Sequence, residues 1–261
     1  YSLNKKMTHN AAECCPDGSW PALKEPKDYE LKGKVMDIGD GMEAYVVGDE
    51  KNKDEKAILL IPDLFGIDSG RTKQIADTLA DQDYFVVCPD LFRGSAMLPK
   101  DISTKLIEWA SARDYKTYVK PELEKVVFPF IESKGLTKIA AWGFCWGSWC
   151  IFNIANDKDL KEKIFCGVNC HPSVKLEQVF KRDPLKLAEE DMKTPMLLLS
   201  AENDPAYVRE NGAYVQQMKE NKVDVAAHNF DDMQHGWVNR GDLSDKKVKR
   251  DVENAIEYGL R

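Results

Sequence analysis

Residues 138–148 read Lys138-Ile139-Ala140-Ala141-Trp142-Gly143-Phe144-Cys145-Trp146-Gly147-Ser148. A mostly apolar run enters Gly-x-Cys-x-Gly, and a helix-compatible stretch from Ser148 to Ala155 follows. Strand, glycine-flanked turn and helix in that order is the context of a nucleophile elbow. The turn is tight enough to force its central residue into a strained backbone conformation. A side chain at either glycine would collide with strand or helix. The apex side chain, here the Cys145 thiol, is expected to project beyond the carboxyl end of the strand. The first turn of the helix supplies unpaired N–H groups and a positive dipole end, which favour a thiolate. A small buried hydrophobe is the competing reading of Cys145, and the residues around the elbow decide between the two.

Working outward, Ala57–Ile61, Tyr84–Cys88, Ile164–Cys170 and Met196–Ala201 are short apolar runs with the look of strands covered on both faces. Glu43–Val47 and Asp224–Phe230 read as further strands. Helical spacing is expected from Ser69 or Asp68 to Asp81, and over about 102–113, 117–134, 207–220 and 244–258. Strands alternating with helices predict an α/β fold: a mainly parallel sheet with helices on both faces. No repeat or linker interrupts it. The expected organisation is one α/β domain over 31–261, preceded by an irregular, proline-punctuated arm over 1–30 that carries Cys14-Cys15. No further ligand cluster lies near those two thiols in sequence, so neither a redox nor a metal role is assigned to them.

In such a sheet the ligand site lies beyond the carboxyl ends of the strands. The residues expected there are Asp63, Asp90 with Arg93, Cys145, His171, Asp204 and His235. The chain order nucleophile, acid, histidine is that of a hydrolase triad. Cys145 would attack a carbonyl carbon, His235 would set its protonation and later activate water, and Asp204 would hold the imidazole. Glu202 is a rival acid and His171 a rival base. Charge developing on the attacked oxygen calls for preorganised donors, for which the backbone N–H groups of Leu64 and Trp146 are the candidates. Asp63 could aim a carboxylate at the thiol. Cys166, Cys170 and His171 could be imagined as metal ligands, but positions 166, 168 and 170 share one strand face, so packing is the preferred reading.

Taken together, Ile61-Pro62-Asp63-Leu64-Phe65-Gly66, Pro89-Asp90-Leu91-Phe92-Arg93-Gly94, Gly143-Phe144-Cys145-Trp146-Gly147, Ala201-Glu202-Asn203-Asp204 and His235-Gly236-Trp237 resemble the dienelactone hydrolase family, including the carboxymethylenebutenolidase-like proteins. The resemblance spans roughly 55 to 258 and, through Cys14-Cys15-Pro16-Asp17-Gly18-Ser19, extends to the arm. It implies an α/β-hydrolase fold, a Cys145–Asp204–His235 triad, and hydrolysis of small carboxylic esters or lactones through an acyl-enzyme, with no cofactor and no metal. Asp63 stands where the bacterial enzymes have glutamate. Arg93 and Arg240 are only approximate counterparts, each offset by a residue, of the arginines that hold the substrate carboxylate there. Trp237 follows the histidine in the motif and joins them as a candidate substrate contact. A non-catalytic binding or signalling protein on the same fold is the alternative.

The bulk properties exclude other classes. A net charge of −7 argues against a nucleic-acid surface. The one dense basic run, 246–250, suits a solvated helix face. No apolar stretch reaches the roughly 18 residues of a membrane span. Seven cysteines, an odd number placed mostly in apolar runs, predict reduced thiols and a cytoplasmic protein. The expected partner is a small ester or lactone, and the expected state a monomer or homodimer.

Overall fold

The computed structural model describes residues 15–23, 29–52, 54–188 and 192–261. Cys14 and the other residues at the start of the arm lie outside them. Eight strands form one sheet: β1 (Lys34–Asp37), β2 (Glu43–Val47), β3 (Lys56–Ile61), β4 (Phe85–Pro89), β5 (Lys138–Phe144), β6 (Cys166–Cys170), β7 (Met196–Ala201) and β8 (Val225–Phe230). Their order is β1-β2-β4-β3-β5-β6-β7-β8. The β1–β2 and β2–β4 pairs are antiparallel, and every pair from β4 to β8 is parallel. The elbow strand β5 therefore sits mid-sheet, with β3 and β6 as its neighbours. Its apolar run is explained by that place, because side chains on both faces are buried.

Two packed layers cover the sheet, one on each face. The helices are α1 (Thr72–Ala80), α2 (Ile102–Ser111), α3 (Lys120–Glu122), α4 (Phe128–Ser133), α5 (Trp146–Asn156), α6 (Ala213–Glu220), α7 (Trp237–Arg240) and α8 (Lys246–Leu260). The amphipathic last helix buries Val248, Val252 and Ala255 on one stripe, and Asp245 caps it by accepting from the Lys247 N–H. Its basic run is a surface face, as expected, with Lys247 and Arg250 paired to Asp232.

Three local expectations change. The helix expected over 117–134 is a helical run broken by wide π turns at Tyr115–Val119 and Leu123–Val127. Each π turn precedes a proline, Pro121 or Pro129, whose missing N–H and bulky ring disrupt the regular ladder one turn upstream. The helix expected to start at Asp68 or Ser69 starts at Thr72, because the Ser69 hydroxyl donates to Asp63 instead of capping. Strand β1 and helix α7, each only four residues long, lie outside any periodic pattern long enough to signal them.

Candidate active site

Cys145 is the residue between β5 and α5, with φ 53° and ψ −108°. A non-glycine residue there is strained by roughly 1–3 kcal/mol, and the surroundings hold it. Its N–H donates to the Cys170 carbonyl at 3.0 Å, and its own carbonyl accepts from the Ser173 N–H at 3.2 Å. The two glycines are required sterically. A Cβ on Gly143 would lie 2.6 Å from the Gly147 backbone, and one on Gly147 would lie 2.1 Å from the Ile61 carbonyl oxygen. The elbow is thus pressed against the end of β3, which brings the Trp146 end of α5 to the segment carrying Leu64.

Opposite the thiol, the β8–α7 loop delivers His235. Its Nδ1 lies 2.6 Å from Asp204 Oδ1, with both side chains buried. Asp204 is aimed by its other oxygen, which accepts from the Ala201 N–H at 2.7 Å. The His235 backbone N–H donates to Asn203 at 2.7 Å, so the acid loop holds the histidine at two points. Glu202, the rival acid, turns to Gln234 at the surface. Nε2 of His235 is buried on the side of Cys145, and donor atoms of Cys15, Cys145 and His235 lie within 4.8 Å of one another. Burial opposes a charged His235, but the charges of Cys145 and Asp204 outweigh it and hold the imidazole well above its usual range. A charged His235 would thus face Cys145 on one side and Asp204 on the other.

His171, the rival base, is buried with φ 40°. Its ring stacks on Phe144 and meets His235 edge-on at 4.9 Å between centroids. Burial first, and the His235 charge second, push it well below the usual histidine range. It is a neutral wall against the working ring rather than a partner of the acid.

Asp63 is fully buried, and its oxygens accept from the Phe65 N–H (2.9 Å), Ser69 hydroxyl (3.0 Å) and Asn239 amide (2.8 Å). Arg240 adds an ion pair at 3.0 Å. Burial raises the Asp63 pKa, and the Arg240 charge with the Asn239 and Phe65 donors pulls it only part of the way back. Arg240 is itself 1% exposed, donates to the Trp20 carbonyl at 2.5 Å and lies over the Phe65 ring. Arg93 is elsewhere engaged: its guanidinium pairs with Glu122 at 2.7 Å and Asp40 at 3.2 Å on the surface. Trp237 packs on Phe230 inside the second core layer and so takes the place of a core side chain.

Ser173 had no signal of its own in the chain. Ser173 Oγ lies 3.1 Å from Cys145 Sγ, brought there by the turn after β6. Residues 15–23 run across the site: the Trp20 N–H donates to the His235 carbonyl at 2.8 Å, the Gly70 N–H to Leu23, and the Asn203 amide to Asp17. The thiol expected to stand in open space is consequently covered, with no exposed surface. The vicinal Cys14-Cys15, expected to lie apart from any ligand cluster, places Cys15 at the thiol and imidazole; Cys14 is outside the described residues.

The model of the dienelactone hydrolase family matches residues 42–258. An uncharacterized AIM2 family protein of Schizosaccharomyces pombe is 31% identical over 95% of this chain and 97% of its own. A carboxymethylenebutenolidase homolog of Xenopus tropicalis is 27% identical over 90% of this chain and 88% of its own. Among solved structures, a putative dienelactone hydrolase from Klebsiella pneumoniae superposes with a TM-score of 0.62 at 16% identity, covering 89% of this chain and all of that one.

Proposed function

The chain belongs to the dienelactone hydrolase family, with the α/β-hydrolase fold, and from that membership we propose that it hydrolyses small carboxylic esters or lactones with Cys145 as nucleophile. The observation that carries this reading is the line Asp204–His235–Cys145. A carboxylate sits 2.6 Å from one imidazole nitrogen, and the ring lies within 4.8 Å of a thiol at a strained elbow.

In the proposed sequence, the Cys145 thiolate attacks the carbonyl carbon, and the oxyanion is received by the Leu64 and Trp146 N–H groups. The His235 imidazolium gives its proton to the departing alkoxide. The resulting neutral imidazole then takes a proton from water, which attacks the thioester and releases the acid. Asp204 keeps the ring oriented and stabilises its charged form through both steps. Ser173 donates to the thiolate, and His171 confines the ring by packing on it. Arg240, paired with Asp63, could turn its guanidinium to a substrate with an anionic or strongly polar group. Trp20, whose backbone joins His235 and Arg240, makes the arm the outer wall.

The test is Cys145→Ala assayed with an activated aryl ester. Turnover should vanish while far-ultraviolet circular dichroism is unchanged. Full turnover by a folded Cys145→Ala protein refutes the assignment and favours a binding protein on the hydrolase fold.

A further inference from the structure

Cys15 is the residue that hydrolysis leaves without a task. Residues 15–23 are tied down at Trp20, Leu23 and Asp17, and these ties deliver one thiol to the catalytic pair. Arg240 lies close enough to Cys15 for charge and hydrogen-bond contact. Two sulfurs and one imidazole nitrogen within 4.8 Å make a soft, three-sided donor set. From it we infer that Cys15, Cys145 and His235 form a binding site for a soft divalent cation of the zinc(II) type, and that its occupancy shuts the hydrolase off.

The chemistry of the site supports a filled-shell ion. Tetrahedral bonds of about 2.3 Å to sulfur and 2.0–2.1 Å to nitrogen separate neighbouring ligands by roughly 3.5–3.8 Å. The donors would close by at most about 1.0–1.3 Å on binding. Nε2 is the buried nitrogen of His235 that faces away from Asp204, and Asp204 stands behind Nδ1 as the carboxylate that orients a ligating histidine. Two thiolates neutralise the dication. Binding releases two protons, one from the Cys15 thiol and one from the pair shared by Cys145 and His235. The fourth position remains open to water. The bound ion takes both the nucleophile and the base, so turnover and occupancy exclude each other.

The site itself rests on geometry, and only its inhibitory effect rests on the hydrolase reading. The experiment separates the two. Full-length, metal-free protein, kept reduced with a phosphine, is titrated with cobalt(II) as the spectroscopic stand-in for zinc. A thiolate-to-cobalt charge-transfer band should saturate at one equivalent and be displaced by zinc. Cys15→Ser and Cys145→Ser, each checked for folding by circular dichroism, should each weaken cobalt binding by at least about 10-fold. Cys14→Ser should leave the band intact. Zinc should abolish aryl-ester turnover over the same concentration range, and a chelator should restore it. Measured against each protein's own metal-free rate, Cys15→Ser should need at least about 10-fold more zinc for half inhibition. Absence of the band, its survival in Cys15→Ser or Cys145→Ser, or its loss in Cys14→Ser overturns the site. A protein that binds cobalt as expected but turns over no ester keeps the site and removes the hydrolase reading.

Discussion

Asp204→Asn isolates the contribution of one buried charge to the nucleophile. The Asp204 oxygen that accepts from the Ala201 N–H would keep that bond as the amide carbonyl. The amide nitrogen would then face His235 Nδ1 across the present 2.6 Å contact. Two donors cannot share that line, so the ring must place its proton on Nε2, toward the thiol, and lose the carboxylate that stabilises its cation. A unit charge at about 4 Å from the imidazolium centre contributes about 4 kcal/mol at an effective dielectric constant of 20. At 1.36 kcal/mol per pKa unit this amounts to roughly three units. His235 is held well above its usual range, so an ion pair with Cys145 is expected to extend into alkaline solution. Without Asp204 the imidazolium loses its proton at lower pH, and the alkaline limb of the rate profile moves down. The expected loss in kcat/KM at neutral pH is about 100- to 1,000-fold. The assay is aryl-ester hydrolysis across pH, paired with the rate of Cys145 alkylation by iodoacetamide, which reads the thiolate directly. A variant within about 3-fold of wild type, with its alkaline limb unmoved, would refute the claim that Asp204 sustains the ion pair.

Other substitutions probe the supports of the site. Gly147→Ala drives a Cβ to 2.1 Å from the Ile61 carbonyl oxygen, a backbone atom that cannot swing aside; thermal unfolding should report a loss of about 1–3 kcal/mol, with a larger proportional loss of turnover. Ser173→Ala removes the 3.1 Å partner of the thiol, and kcat/KM should fall about 10- to 150-fold, as for a hydrogen bond to a charged group, with little change in melting temperature. Asp63→Ala leaves the Arg240 guanidinium buried beside Asn239 without its counter-ion, and chemical denaturation should show about 3–5 kcal/mol of destabilisation. Tyr45→Phe deletes a buried hydroxyl that donates to Asp77 and accepts from the Gly33 N–H; the expected loss is about 1–3 kcal/mol, far from the site and without effect on kcat.

What the chain discloses on its own is whatever short-range pattern encodes. Continuous apolar runs place the inner strands, because a strand covered on both faces has no polar side to show. Gly143 and Gly147 disclose the elbow, because no other residue fits where two backbones touch. The order Cys145, Asp204, His235 follows from which strand ends carry reactive side chains. The wide turns before Pro121 and Pro129 were equally latent in the sequence, though a helical period alone conceals them.

The remainder depends on contacts between residues far apart in the chain. Ser173 reaches the thiol because β6 is the neighbour of β5, and no local motif distinguishes it from any other turn serine. Arg240 reads as an ordinary charged residue until the fold closes it against Asp63, 177 positions earlier, away from water. Arg93, equally basic, is drawn instead to Glu122 and Asp40 by the surface it happens to share with them. Cys15 has no periodic partner at all, and only the packing of its segment on the His235 loop sets it beside Cys145. Residue identity determines which chemistry is available, since pKa, softness and backbone freedom belong to each side chain. Tertiary structure decides which of those groups meet and how much water separates them, because electrostatic coupling falls with distance and dielectric, neither of which is written in sequence order.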